Sequence, residues 1–258
     1  MSYPEWADRI LRHAHVIREP PGVGQGYWAG APGAAYARDE KVFYLTYRLR
    51  RPRGVPPDRG GEARIARSTD LRHFEDVWSV TKEAYGSVSI VLSVAMRTPR
   101  TRDESHATLD IFNTGDCVSA TALARSVDFE SWEWLGVVFA PSPPGWDAYC
   151  RRINSIVRRG GEYVALYDGS ASHLENYEEK TGLAVSSDLQ SWETLTAGGP
   201  ALTSPHASGA LRYLDAVATD DGVWAFYEFA RPDGGHDLRV AQLDVDQLSA
   251  AIPPRDGS

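Results

Sequence analysis

The 258-residue chain has two cysteines, Cys117 and Cys150, and only three lysines, Lys41, Lys82 and Lys180. So few cysteines exclude a stapled secreted scaffold, and no spacing fits a metal-ligand motif. Both thiols are expected to be reduced packing residues. The scarcity of lysine leaves positive charge almost wholly to arginine, whose planar fork suits carboxylate and phosphate wherever it clusters. No run approaches the roughly 18 apolar residues that a membrane helix needs. The stretch "MSYPEWADRILRHAHVIREPP" carries charges throughout and has no apolar h-region, so a signal peptide is not expected there and a cytoplasmic location is. A net charge of −8 argues against a nucleic-acid footprint. Helical periodicity is weak outside residues 4–13. The expected partner is therefore a small molecule, with no nucleic acid, no membrane, no cofactor and no metal; the sequence leaves the oligomeric state open.

A hydrophobic content of 42% and a charged content of 24% are ordinary for a globular chain with a sizeable core. Against that background one phrase recurs: "ARSTDLRHFE", "ARSVDFESWE" and "AVSSDLQSWE". Asp70, Asp128 and Asp188 hold the same place in it, 58 and 60 residues apart, and "AQLDVDQL" is a weaker copy with Val245 in that position. Such a period points to a repeat architecture. Each phrase follows a strand rich in aromatic and β-branched residues ("VFYLTYRLR", "ATLDIFNT", "EYVALYDGS"; "VWAFYEFAR" precedes the weaker copy), with another apolar segment upstream ("WAGAPGAAYA", "SVSIVLSVAM", "RRINSIVRR", "ALRYLDAVA"). Turn signals such as "RDEK", "RRGGE" and "TDDG" separate the two, and a short strand follows each clear phrase. Four short antiparallel strands in tandem units are propeller blades. The fold class is therefore all-β, a five-bladed β-propeller in one domain spanning 1–258. Its repeats run about 28–83, 84–140, 141–198 and 199–245, with 1–27 and 246–258 as a reduced closing blade; four blades is the variant reading. A β-sandwich would show no regular period. Within the phrase, Ser and Asp are turn formers, and the following Leu or Phe and Trp or Phe are expected to bury between blades.

These strands and "S-x-D-L-x-x-W-E", best matched by "GLAVSSDLQSWETL", resemble the five-bladed propeller glycoside hydrolases, a group that includes arabinanases, β-xylosidases, levansucrases, invertases and related mannoside phosphorylases. The resemblance spans 28–245 and lies in scaffold residues. It implies a carboxylate early in the first inner strand, where this chain has "WAGAP" with Ala31 in the acid's place. It implies a middle-blade Asp that tunes the acid, matched by Asp147 in "GWDAYCRRIN". It implies a general acid at a later inner strand, where "SPHASGALRYLDA" offers only Asp215. Two-carboxylate hydrolysis needs an acid and a base or nucleophile flanking one bond, so Ala31 implies a rearranged set.

Propeller topology brings the loops entering each inner strand, and those leaving each second strand, to one face. The second strands end on Tyr47-Arg48, Phe112-Asn113, Tyr167-Asp168 and Tyr227-Glu228, which makes Arg48, Asp168 and Glu228 candidates for that face. Arg50, Arg51 and Arg53 lie near Arg48, and His236 and Arg239 flank the last loop. Arg151 and Arg152 begin the third inner strand and Arg212 lies on the fourth; Arg152 and Arg212 would need an internal acid or an anionic ligand. The loop "SHLENYEEKTG" holds Glu175, Glu178 and Glu179, any of which could donate a proton if desolvated. Trp28, Trp146 and Tyr149 offer either a sugar-stacking platform or core packing. The expected function is a carbohydrate-active enzyme, glycoside hydrolase-like, for a small sugar or sugar-like, optionally anionic, substrate. Its catalytic residues would be Asp147, Asp215 and Glu175, and its binding residues Trp28, Arg48, Trp146, Arg152, Asp168, Arg212, Glu228 and His236. Lyase, cyclase or isomerase chemistry on the same scaffold, or sugar binding without turnover, are the alternatives.

Overall fold

The computed structural model describes residues 5–52, 54–56, 61–81, 84, 94, 95 and 118–244. It is nearly all β, and the chain divides into two compact units, Met1–Ile90 with Leu202–Ser258, and Val91–Ala201. In the first unit a short helix, α1 (Glu5–His13), leads into β1 (His15–Arg18). Then β2 (Trp28–Ala37), β3 (Val42–Arg50), β4 (Glu62–Ser68) and β5 (Glu75–Thr81) form a four-stranded antiparallel meander. In the second unit β6 (Val94–Ala95) and β8 (Glu133–Phe139) both pair with β7 (Ser119–Arg125). A second meander follows: β9 (Cys150–Arg159), β10 (Glu162–Ser170), β11 (Lys180–Ser186) and β12 (Glu193–Thr194). The chain returns to the first unit with β13 (Leu211–Thr219), β14 (Gly222–Ala230) and β15 (His236–Leu243).

The sheet β13–β14–β15 finds its fourth strand far back in the sequence, because β1 pairs antiparallel with β15. Residues expected in a closing blade thus include the strand that completes this meander; 246–258 lie outside the described residues. Sheets meet through one parallel contact each, His236 with Trp28 and Ser119 with Cys150. The inner strand β13 also packs against β2. Of the second repeat's expected first strands only Val94 and Ala95 are described. Phe112, Asn113, Arg53 and Cys117 lie outside the described residues, while Cys150 is free and buried.

Strand alternation sorts the side chains. On β3, Phe43, Leu45, Tyr47 and Leu49 point into a core shared with Ala29, Val217, Phe226, Leu238 and Val240, while Thr46 and Arg48 face outward. In the second unit Phe139, Ala165, Tyr167 and Ala184 form the equivalent cluster, flanked by Trp146, Ile153 and Trp192.

The recurring phrase is a turn held by side-chain oxygens. Ser186 Oγ accepts the Leu189 amide (2.8 Å), and Asp188 Oδ1 accepts the amides of Gln190 and Ser191 (2.8 Å each). Ser68 with Asp70 and Ser126 with Asp128 repeat the pattern. The residue after each aspartate is left-handed, with φ of 61° at Leu71, 62° at Phe129 and 65° at Leu189. A bulky residue in that region is strained, so the hydrogen bonds impose it. The expectation of burial holds for Leu71 but not for the second copy, where Phe129 and Trp132 are 84% and 57% exposed. The turn forms there without the packing, which makes it a local device.

Amides donating to these aspartates, and at Asp70 first the His73 side chain, hold all three carboxyls below the usual carboxylate range. A depressed folded value gives stability that is present above the unfolded pKa near 4 and lost as pH falls below it. Asp188→Ala should therefore lower Tm at pH 7 and flatten the fall of Tm between about pH 5 and 2. Differential scanning calorimetry of both proteins across that range checks this; parallel curves would refute the role.

Candidate active site

The inner strands share an irregularity. The register of β2 against β3 slips between Gly30 and Gly33, that of β13 against β14 between Arg212 and Asp215, and β9 slips against β10 beside Tyr167. Ala31 (φ 51°) and Tyr213 (φ 52°), each one residue past the paired position, are left-handed without being glycine. Bulges and such strained residues concentrate where side chains are aimed at a site.

In the first unit the bulge of β2 receives two carboxylates from the neighbouring sheet. Glu228 on β14 is 2% exposed. Its Oε1 accepts from Arg212 Nε (2.8 Å), Arg212 Nη2 (2.6 Å) and His236 Nδ1 (2.6 Å), and its Oε2 accepts the Ala31 amide (3.2 Å). Burial alone would raise its pKa; the Arg212 charge and the His236 hydrogen bond outweigh that and lower it to about 2. Glu228 is a fixed anion at neutral pH. The second carboxylate is Asp215 on β13, whose Oδ2 accepts the Ala34 amide at 2.7 Å. Asp215 pairs with Phe226, two residues before Glu228, so register places both acids on one sheet face. The two anchoring amides are three residues apart, a span of at most about 11 Å.

Gly30 makes this approach available, since a Cβ there would lie 1.7 Å from Glu228 Oε2. Trp28 is buried beneath the cluster. His236 stacks on it at 4.9 Å, and the guanidiniums of Arg50 and Arg212 lie 4.2 and 4.7 Å from its ring centre. Its faces are thus occupied by protein, so it forms the floor of the site in place of a stacking platform. Arg48, directly across from Gly30, is exposed.

In the second unit the expected residues divide between two faces of one sheet. Arg151 and Gly169 are paired on one face, Arg152 and Asp168 on the other. Asp147 belongs to the first face. It accepts from Arg151 Nε (2.8 Å) and Nη2 (3.1 Å) and from the Tyr167 hydroxyl (2.8 Å). Trp146 stacks on Tyr167 at 5.7 Å and donates to the Thr196 carbonyl. Together these dock the loop entering β9, against Gly169 and Gly182, where a Cβ would collide with Trp146. On the other face Arg152 Nη2 lies 2.7 Å from Asp168 Oδ2 and 3.6 Å from Glu179 Oε1, and both acids are buried. Beside them burial pushes the Cys150 thiol up to about 12. Glu175 lies in a short 3-10 turn, partly exposed, accepting the Ala171 amide and 3.6 Å from Lys180 Nζ.

No family model matches the chain, and no curated protein does. Solved structures similar to it include a β-1,2-mannobiose phosphorylase from Listeria innocua in complex with β-1,2-mannobiose (13% identity, 92% of this chain and 94% of that one, TM-score 0.48). The GH32 β-fructofuranosidase of Bombyx mori is similar at 16% identity over 94% of this chain, which spans 52% of that one (TM-score 0.39). An α-L-arabinanase of Cellvibrio cellulosa complexed with arabinohexaose is similar at 11% identity, over 86% and 79% of the two chains (TM-score 0.35).

Of the expected residues, Trp28, Arg48, Arg212, Asp215, Glu228 and His236 converge around the β2 bulge. Sequence reasoning missed Gly30 and the Ala31 and Ala34 amides. The signal was present in "WAGAPGA", where small residues admit close approach. Gly30→Ala should cost at least about 2 kcal/mol, because the carboxylate facing it is pinned on three sides. Gly33→Ala should cost less, since its Cβ would meet only the Thr46 hydroxyl at 2.8 Å. Chemical denaturation of the two variants checks the order; equal midpoints would contradict the placement of Glu228.

Proposed function

We propose that this chain is a carbohydrate-active enzyme, glycoside hydrolase-like, that acts on a small sugar or sugar-like substrate at the β2 bulge. The observation that carries the reading is the anchoring of Asp215 and Glu228 to amides of one bulged segment, Ala34 and Ala31. Cleavage of a glycosidic bond passes through a transition state with positive charge on the sugar ring, and it uses two carboxyl groups about 5–10 Å apart. The span between the anchoring amides is compatible with that separation. The sequence resemblance to propeller glycoside hydrolases supports the same class of chemistry.

In this reading Glu228 is the ionised member. Arg212 and His236 hold it as an anion, so it stabilises developing positive charge or activates water and does not donate protons. Asp215 is the proton donor to the leaving oxygen. Its carboxylate takes the place that the resemblance assigns to a general acid, while Ala31 contributes a backbone amide where an acid is expected. Asp147, bound by Arg151 and Tyr167, orders the loop entering β9 and so supports the scaffold, and Glu175 caps its own turn.

A second reading, lyase or isomerase chemistry on the same face, is favoured by Ala31 itself, since loss of that acid removes the usual partner for hydrolysis. A panel of aryl glycosides, neutral and acidic, separates the two. Turnover is expected with at least one, and Asp215→Asn and Glu228→Gln should each lower kcat by about 100-fold or more. Because Glu228→Gln strips a buried pair of its charge and should cost about 3–5 kcal/mol, its kcat is read below its own Tm. Wild-type levels of turnover in both variants, or no turnover on any member of the panel, would remove the hydrolase reading.

A further inference from the structure

Three second strands carry a polar residue at one place: Arg48 on β3, Asp168 on β10 and Glu228 on β14. Each stands directly across from an inner-strand residue, Gly30, Arg152 and Arg212 respectively. In two of the sheets this cross-strand couple is an arginine–carboxylate ion pair, at 2.7 Å for Arg152–Asp168 and 2.6 Å for Arg212–Glu228. In the first sheet the polarity is inverted and the couple is incomplete. The cation is on the second strand, and the inner strand offers glycine.

That vacancy is enforced. A side chain at position 30 would overlap Glu228, so the inner strand is unable to supply a counter-charge. Glu228 is committed elsewhere, one oxygen to Arg212 and His236 and the other to the Ala31 amide. Arg48 is exposed and has no hydrogen bond or ion-pair partner among the described residues. Arg50, two residues on and therefore on the same face, lies over Trp28 and adds a second positive charge. The first sheet thus presents a guanidinium fork across the strand from Gly30, the residue against which Glu228 packs, with no partner among the described residues.

We propose that Arg48 recognises an oxyanion on the substrate, a carboxylate or a phosphate carried by the sugar. The ligand completes the arginine–anion couple that the first sheet lacks. A fork geometry favours such planar or tetrahedral oxyanions over hydroxyls. The inference rests on the carbohydrate reading above and narrows it to acidic sugars, and it assigns Arg48 to specificity with no part in bond cleavage.

Isothermal titration calorimetry of the full chain tests it with paired probes: glucose, glucuronate and glucose 6-phosphate, and galactose with galacturonate. At least one acidic sugar should bind about tenfold or more tightly than its neutral partner, as expected for a charge-assisted hydrogen bond. The uronate and phosphate arms tell which oxyanion is read. Arg48→Ala should erase the preference while leaving Tm unchanged, as befits an exposed side chain, and Arg48→Lys should retain part of it. Equal binding of acidic and neutral sugars by the wild type, or a preference that survives in Arg48→Ala, overturns the inference and leaves the carbohydrate reading intact. Binding of none of the sugars overturns both.

Discussion

The first unit is organised around one buried anion. A carboxylate removed from water costs several kcal/mol unless it is paired and hydrogen-bonded, and Glu228 meets that demand from three directions at once. Arg212 arrives from the inner strand of its own sheet, His236 from the third strand and the Ala31 amide from the neighbouring sheet. Each provider is thereby fixed in turn. Arg212 and His236 are held against Trp28, position 30 must remain without a side chain, and β2 must bulge to aim its amide. The edge between β15 and β2, which share only one parallel contact, is thus bridged by a carboxylate as well as by backbone.

The second unit uses the same strand grammar with a different outcome. Its cross-strand couple, Arg152 with Asp168, is joined by a further buried acid, Glu179. Its loop acid Asp147 is taken up on the opposite face by Tyr167 and Arg151. Two of the second-strand tyrosines play a common part. Tyr47 donates to Asp76, as Tyr167 does to Asp147, so the aromatic faces the core side while the next residue faces away. One alternation along the strand separates its two faces, which is why neighbours in sequence such as Arg151 and Arg152 have unrelated partners.

What was legible in the sequence follows from the range of the forces involved. The phrase around Asp70, Asp128 and Asp188 is stabilised by hydrogen bonds within four residues, and its turns were read correctly from three copies. The strands announced themselves by alternation, and the set Arg48, Asp168 and Glu228 by its shared place after an aromatic. Long-range pairings left no such trace. Asp147 reads the same whether its carboxylate meets a substrate or Tyr167, and only the fold places it against Arg151. The convergence of Asp215 and Glu228 on Ala34 and Ala31 depends on a register slip in β13 and on two sheets meeting. The exposure of Phe129 and Trp132 was likewise hidden, because the phrase forms its turn whether or not its aromatics are covered.

The pairing of β1 with β15 carries a consequence for how the chain acquires its structure. Val16 and Arg239 face each other across the two strands, yet over two hundred residues separate them. Closing so long a loop is entropically costly and slow compared with forming a hairpin. During synthesis β1 must wait for more than two hundred further residues before its partner exists. The hairpins β2–β3 and β9–β10 have no such delay and can form as they emerge. The sheet bearing Arg212, Glu228 and His236 therefore gains its fourth strand through a far longer loop closure than its own hairpins require.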